Sequence, residues 1–380
     1  MLTFKPGLET TSLSPYSLTA MAQVSSKGGK MEKQIRKNVI VALILVLGIF
    51  GNGQSVFAEE QATDSAEEIR LSIAPAVAER GGVLLRQGQL EVAPQLRYSL
   101  QSTNRLIVYG LAVLPALVIG SIDVADVDRS IVEPSLALRY GLFDPLQLEV
   151  MVPWRYSNDI ISLQSGEEIT VDDTGIGDIE GGLSCQLMNE KAGWPALVAS
   201  VRVKSRTGKD PFEVDPNDEI PTGSGFWGVR GILTAIKVMD PVVVFANIGY
   251  TYNISRTVDF EQDTDPNTDV GDIEFDPGDS VEWGLGFAYA LSPEFSLNIQ
   301  YVHQLVFRSS IDDIQFPENN TSIETGDVAG THQNIPSLKF GTVLAFENGR
   351  YLDFSVAIGL SEDAPDITVQ LAIPFRFDFL

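Results

Sequence analysis

The chain has 380 residues, 44% of them hydrophobic and 20% charged, with a mean hydropathy of +0.07, too apolar a balance for wholesale disorder. Its 26 Lys and Arg stand against 51 Asp and Glu, and a net charge of −25 argues against a nucleic-acid partner, whose phosphates call for clustered cations. No apolar run reaches the roughly 18 residues of a spanning helix, and a single cysteine, Cys185, excludes an intramolecular disulfide.

Residues 1–30 carry neither apolar periodicity nor targeting character and read as a misread upstream start or an extension. From Met31 the pattern becomes an export address: Lys33, Arg36 and Lys37, then an apolar core over residues 39–51, then Val56-Phe57-Ala58 before Glu59-Glu60. Residues 31–58 are therefore predicted to be a signal peptide cleaved after Ala58, with no cysteine nearby for a lipid anchor. Six Lys and Arg and two Asp and Glu precede Glu59, so the exported chain keeps 20 basic and 49 acidic residues, near −29. Residues 59–88 read as a periplasmic N-terminal segment, and residues 89–380 as the folded body.

That body alternates with period two, as strands with one face in lipid must. Residues 146–156 set Leu146, Leu148, Val150, Val152, Trp154 and Tyr156 against Gln147, Glu149, Met151, Pro153 and Arg155. Residues 281–291 set Val281, Trp283, Leu285, Phe287, Tyr289 and Leu291 against Glu282 and four small residues. Residues 367–379 do the same with Ile367, Val369, Leu371, Ile373, Phe375, Phe377 and Phe379. Similar runs begin near Leu90, Ile131, Gly175, Ala196, Phe226, Val242, Phe295, Ile335 and Tyr351. A soluble sandwich alternates too, but its strands average about five or six residues. These run to ten or more with aromatics at their ends, which favours an all-β, transmembrane, antiparallel up-and-down barrel.

Turn lengths orient it. Short connections at 141–145, 189–193, 239–241, 292–294 and 347–350 alternate with long polar stretches at 157–173, 208–225, 259–278 and 309–334. Barrels of this class keep short turns on the periplasmic side, so the long stretches are predicted to be extracellular and the C-terminus periplasmic. The count is twelve strands. Residues 105–122, apolar on both faces and broken at Pro115, are either a plug or loop segment or an extra hairpin giving fourteen.

From Gly81 onward, six stretches occur in order: GGVLLRQGQLEVAPQLRYSLQSTNR, RYGLFDPLQLEVMVPWRY, DTGIGDIEGGL, VKSRTGKDPFEV followed by PTGSGFWGV, DPVVVFANIGYTYN and VAIGLSEDAPDITVQLAIPFRF. In these the chain resembles the meta-pathway phenol-degradation family of outer-membrane proteins, often described as transporters. The resemblance implies a Gram-negative outer-membrane barrel that passes small, often hydrophobic or aromatic molecules; it brings no catalytic or ligand residues. The chain departs from the usual aromatic C-terminus in that Leu380 follows Phe379.

The period-two pattern projects Glu91, Arg97, Glu133, Arg139, Glu149, Arg155, Asp178, Glu180, Arg202, Lys204, Arg206, Arg230, Glu282, Arg308, Lys339, Arg376 and Asp378 inward as candidate lumen lining. Mutual ion pairing would plug a small barrel; twelve strands leave space for a path. The glycines at 173–178 match neither a dinucleotide fingerprint nor a phosphate loop and fit a strand bend. His303, on the outward face beside Leu305 and Phe307, reads as a headgroup-level residue, ahead of a hydrolase base. His332 falls in a polar loop. The acidic stretch 259–279 reads as a solvated loop, with divalent bridging to lipopolysaccharide as the lesser alternative. No cofactor or metal site is expected. The expected partners are outer-membrane lipid, lipopolysaccharide, the barrel assembly machinery and an unnamed small solute. The alternatives to a small-molecule channel are a non-transporting structural or adhesive barrel and an outer-membrane hydrolase.

Overall fold

The computed structural model describes residues 84–379, except 110–111, 115–116, 119–120, 164–167, 192, 215–218, 240, 260–271, 312–313, 317–320, 324–325, 329–330 and 347–349. The expected upstream extension and signal peptide, and all of the expected periplasmic segment but its last five residues, lie outside the described residues.

Twelve strands carry the fold: β1 (Gln89–Tyr109), β2 (Ser121–Phe143), β3 (Leu146–Leu163), β4 in two pieces (Glu168–Ile176 and Glu180–Met188), β5 (Ala196–Lys204) and β6 (Gly228–Met239). They continue with β7 (Val242–Asn253), β8 (Ser280–Ser292), β9 (Phe295–Val306), β10 (Gln333–Ala345), β11 (Tyr351–Gly359) and β12, again in two pieces (Ile367–Ala372 and Phe375–Asp378). Each pairs antiparallel with its successor, and β12 closes on β1 through Gln95↔Ala372 and Glu91↔Arg376. Closure leaves no unpaired edge, the condition for strands to sit in hydrocarbon.

Each interrupted strand has a proline at the break or beside it on the neighbouring strand. Pro374 splits β12, and the ladder resumes through the Ile373 amide to the Pro94 carbonyl at 3.1 Å. At residues 177–179 the Gly177 amide donates to the Pro153 carbonyl at 2.9 Å. Proline brings no N–H to a ladder, so pairing must skip there.

The stretch 105–122 is neither a plug nor an extra pair of barrel strands. It is the tip of the first hairpin, whose ladder runs on to Tyr109↔Ser121, with Ala112–Leu114 and Leu117–Val118 pairing beyond. Its apolar residues continue a β-pairing register, and the barrel keeps twelve strands. The long loop expected over 157–173 is likewise shorter: Ser157↔Asp173 through Ser162↔Glu168 are paired, so the hairpin of β3 and β4 stands well above the aromatic level of Trp154. The strand expected from Gly175 breaks after Ile176 and restarts at Glu180. Outside the barrel, Arg256–Asp259, Asp272–Asp276, Ser310–Ile311 and Gly326–Asp327 form a small four-stranded sheet from the extracellular loops.

The alternation is spatial as read. Leu285, Ile248, Val201, Leu183, Leu96, Leu297 and Ile358 point outward at 43–59% exposure, while their strand neighbours turn in. Trp154, Trp227, Tyr250 and Tyr252 sit toward the extracellular ends, and Phe143, Trp194, Phe346 and Phe377 toward the turns. Such a surface is costly in water and neutral in lipid, with aromatics at the two boundaries.

Residues 84–88 lie against the inner wall at the turn end. Leu85 is buried and its amide donates to Gln147 Oε1 at 2.9 Å. Gly141 lets this segment close in: a Cβ there would come 2.0 Å from the Arg86 carbonyl oxygen, which no side chain permits.

Candidate functional site

The interior has two unlike walls. Across β12, β1, β2, β3 and β5 runs a ladder of alternating charge. Arg376 Nε lies 2.8 Å and Tyr351 Oη 2.9 Å from Glu91 Oε2. Arg139 then bridges Glu91 at 2.7 Å and Glu149 at 3.3 Å, and Arg202 reaches Glu149 at 3.0 Å. Nearer the extracellular end Arg97 and Arg155 share Glu133, at 3.2 and 2.9 Å, and above them Arg129 pairs with Asp159. Ions out of water hold their charge only when paired and hydrogen-bonded, and the fold supplies both on neighbouring strands.

The other wall, β6 to β11, is mostly small or neutral inside. Glycines there stand directly opposite longer side chains: Asn247↔Gly284, Phe245↔Gly286 and Asn298↔Gly341. A Cβ on these glycines would meet Asn247 Oδ1 at 2.4 Å, the Phe245 ring at 2.6 Å and the Asn298 amide at 2.6 Å. Gly182 does the same for Arg202 on the charged wall, with Arg202 Cγ 2.8 Å from where its Cβ would be. In each case the long side chain lies along the wall over a glycine instead of projecting across the lumen.

At the extracellular end a cap is built from three stretches far apart in sequence. Asp178, in the break of β4, accepts from the amides of Gly208 (3.1 Å) and Ser224 (2.7 Å) and from the Ser224 hydroxyl (2.6 Å). Thr222, 1% exposed, donates to the Ile176 carbonyl and accepts from the Lys209 amide. Lys209 Nζ binds Asp173 at 2.6 Å, and Arg256 ties down Asp210 and the Gly225 carbonyl. Gly225, at φ +78°, makes the turn that brings its carbonyl there. Beneath the cap is a partly open cavity of about 150 Å³, where Arg202, Lys204 and Arg230 face Glu180.

Desolvation opposes ionisation of Asp173, but the Lys209 ammonium and the amides of Thr174 and Ile220 outweigh it and hold its carboxyl below the usual range. Lys209 is raised, chiefly by its hydrogen bond to Asp173. A depressed acid lends stability above its unfolded pKa and loses it as pH falls through the folded value; a raised lysine lends stability below its own and loses it above the folded value. The cap should therefore be firm from about pH 4 to about pH 10 and loosen outside that span. Amide hydrogen exchange over residues 208–214 and 219–227, expressed as protection relative to the unstructured rate at each pH, checks this: Asp173→Asn should show at pH 7 the lowered protection that the native cap shows in acid, and unchanged protection would remove Asp173 as an anchor.

The residues expected to line the lumen fall into four sets. Glu91, Arg97, Glu133, Arg139, Glu149, Arg155, Arg202 and Arg376 join the ladders, and Glu180, Lys204 and Arg230 surround the cavity. Glu282 accepts from Asn247 at 3.5 Å inside β8, and Lys339 stands opposite Gln300 on the inward register of β10. The remaining four differ from the reading. Asp178 is committed to the cap; Arg206 is exposed in the loop after β5; Arg308 lies past the end of β9 with Asp327; Asp378 is at the rim, accepting from Gln89. For Arg206 and Arg308 the period-two count was carried past the point where the strand ends, for Asp178 it ran through the break of β4, and Asp378 keeps the inward register as the last residue of β12, at the rim. Arg129, Asp159 and Tyr351 were missed. Arg129 fell just before the run read from Ile131, Asp159 in a stretch read as loop, and Tyr351 was read only as the start of a run.

His303 stacks on Trp283 at 4.2 Å, accepts or donates with Tyr301 Oη at 2.8 Å and meets Asn334 Oδ1 at 2.6 Å, all on the outer face. Both ring nitrogens are thus engaged by groups other than serine. His332 is exposed. Among the described residues no three of His, Cys, Asp and Glu are grouped to hold a metal ion.

No family model matches the chain. Among solved structures it is similar to an outer-membrane channel from Pseudomonas putida F1, at 17% identity and a TM-score of 0.51, covering 78% of this chain and 97% of that one. This establishes the fold as that of outer-membrane barrels. Weaker likenesses, which add nothing to that conclusion, include the transport unit of the autotransporter AIDA-I from Escherichia coli (9% identity, TM-score 0.41, 85% and 100% covered) and the toluene transporter TodX of Pseudomonas putida (12%, 0.34, 83% and 94%).

Proposed function

We propose that this chain is an outer-membrane channel for small molecules. The observation that carries the reading is the wall geometry: side chains of β5, β7 and β9 are laid over glycines of the strands beside them, which clears bulk from the lumen of a barrel already wider than the eight strands that side chains fill. Paired charges line one wall; the other carries amides, hydroxyls and glycine with Arg230, Glu282 and Lys339, and toward the turns a packed apolar cluster of Ile236, Val243, Phe245 and Ala288. A sealed barrel has no use for glycines in these places, since larger side chains would pack the interior.

In this reading the protein is exported by a signal peptide ending at Ala58, is inserted by the barrel assembly machinery, and sits among outer-membrane lipid and lipopolysaccharide. The resemblance to the meta-pathway phenol-degradation family supports small hydrophobic or aromatic compounds as the solutes. The engagement of His303 by Tyr301 and Asn334 supports a non-enzymatic role. Proteoliposomes swelling in iso-osmotic solute test it. Vesicles holding the folded chain should swell in a pentose, faster than protein-free vesicles, and keep their volume in a large oligosaccharide; vesicles that do not swell in the pentose, with folded protein present, would overturn the reading.

A further inference from the structure

The cavity under the cap holds a charge pattern that the rest of the barrel avoids. Arg97, Arg129, Arg139, Arg155, Arg202 and Arg376 each have a carboxylate partner within ion-pair distance. Lys204 donates only to the Ser224 hydroxyl at 2.7 Å, and Arg230 only to Thr251 Oγ1 at 3.2 Å. Neither closes to ion-pair distance with a carboxylate among the described residues, although Glu180 faces Lys204 across the ladder. Arg202 is satisfied through Nη2, but its buried Nε has no acceptor. Moreover, Arg202 and Arg230 are directly opposite each other on β5 and β6, with Lys204 two residues along. Like charges directly across a ladder repel, and a buried N–H without an acceptor is costly. An anion beside Arg230 and Lys204 relieves the repulsion; the Arg202 Nε is sealed from the cavity and stays outside its reach.

We propose that this cavity is a binding site for small organic monocarboxylates, held by Arg230 and Lys204 beside the Arg202 guanidinium; it rests on the channel reading and names a solute class for it. The rest of the lining narrows the class. Glu180 stands across from Lys204 and repels a second negative charge, so phosphate and dicarboxylates are disfavoured. Val306 and the Phe226 ring, with Lys204 Nζ 4.2 Å from the ring centroid, offer apolar contact to a small ring or short chain. At about 150 Å³ the space suits a single small acid. The cap, fixed by Asp178, Thr222 and Lys209, brings Ser224 and Phe226 to the site.

Titration calorimetry on the folded chain in detergent micelles tests this without requiring conduction. Benzoate is the probe, benzyl alcohol the neutral analogue and inorganic phosphate the simple anion. The expected result is saturable benzoate binding at least tenfold tighter than that of benzyl alcohol or phosphate. It should weaken tenfold or more in both Arg230→Gln and Lys204→Met and be unchanged in Lys191→Gln, on an exposed turn at the far end. Heat-modifiable migration on gels verifies that each variant is folded, and a variant that fails this check is replaced by the milder Arg230→Lys. Benzoate and benzyl alcohol binding alike would mean apolar partitioning and overturn the proposal, as would phosphate binding as tightly as benzoate or equal binding by the variants. Specific benzoate binding in a barrel that passes no solute would sustain the site and defeat the channel; passage with no benzoate binding would do the reverse.

Discussion

Leu285→Arg and Leu371→Arg should each impair barrel assembly, whereas Thr368→Arg should be tolerated. Leu285 points outward at 59% exposure in the middle of β8, and Leu371 is on the outward register of β12. An arginine facing hydrocarbon near the midplane costs about 2–4 kcal/mol. Thr368 turns inward, where its hydroxyl meets Ser99 at 3.2 Å, so an arginine there reaches the polar interior. Urea-driven unfolding in lipid vesicles reads the difference as a lowered midpoint for the two outward variants. Equal loss at all three positions would contradict the assigned faces.

The second large effect concerns Glu91, 1% exposed and contacted by Arg139, Arg376 and Tyr351. Glu91→Ala strips one anion from the middle of the ladder, leaving Arg376 without a carboxylate and Arg139 with Glu149 alone. Removing one member of a buried pair costs roughly 3–5 kcal/mol, most of it from the charge left behind. Arg97→Ala is the contrast, because that side chain is 42% exposed and Glu133 keeps Arg155. An exposed pair contributes about 1 kcal/mol or less. Unfolding midpoints should therefore fall far more for Glu91→Ala; similar losses would mean the ladder is no more than surface pairing.

Much of this was legible because strand geometry writes itself into sequence. A period of two fixes which residues share a face, so the inward places of Glu91, Arg139 and Glu149 followed from counting alone. Short and long connections gave the twelve strands. What could not be read was where strands end and what inward residues meet. Arg206 and Arg308 kept the parity but lay beyond the ladder, since pairing is cooperative between strands and leaves no local mark at its limit. The stretch 105–122 was ambiguous because apolar residues on both faces suit a plug, a hairpin or a spanning strand equally; only its pairing partners decide. The glycines at 284 and 286 were visibly inward, but their service to Asn247 and Phe245 depends on register across strands. The cap was the least legible part. Asp173, Asp178, Lys209, Thr222 and Ser224 belong to stretches read as polar loops or a strand bend, with Asp178 counted as lumen lining, and nothing local announces that they converge.

Single-channel recording in a planar bilayer tests the channel reading most directly. The folded chain should give discrete, reproducible conductance steps in 1 M KCl. At about 0.01 M salt, where charges reach roughly 30 Å, the reversal potential should show a modest preference for cations, drawn by the acidic stretch 259–279 and opposed by Arg202, Lys204 and Arg230 inside. That preference should fade toward 1 M, where the reach shrinks to about 3 Å. A folded, membrane-inserted barrel that never produces a conductance step, at either salt concentration, would contradict the open lumen and with it the channel.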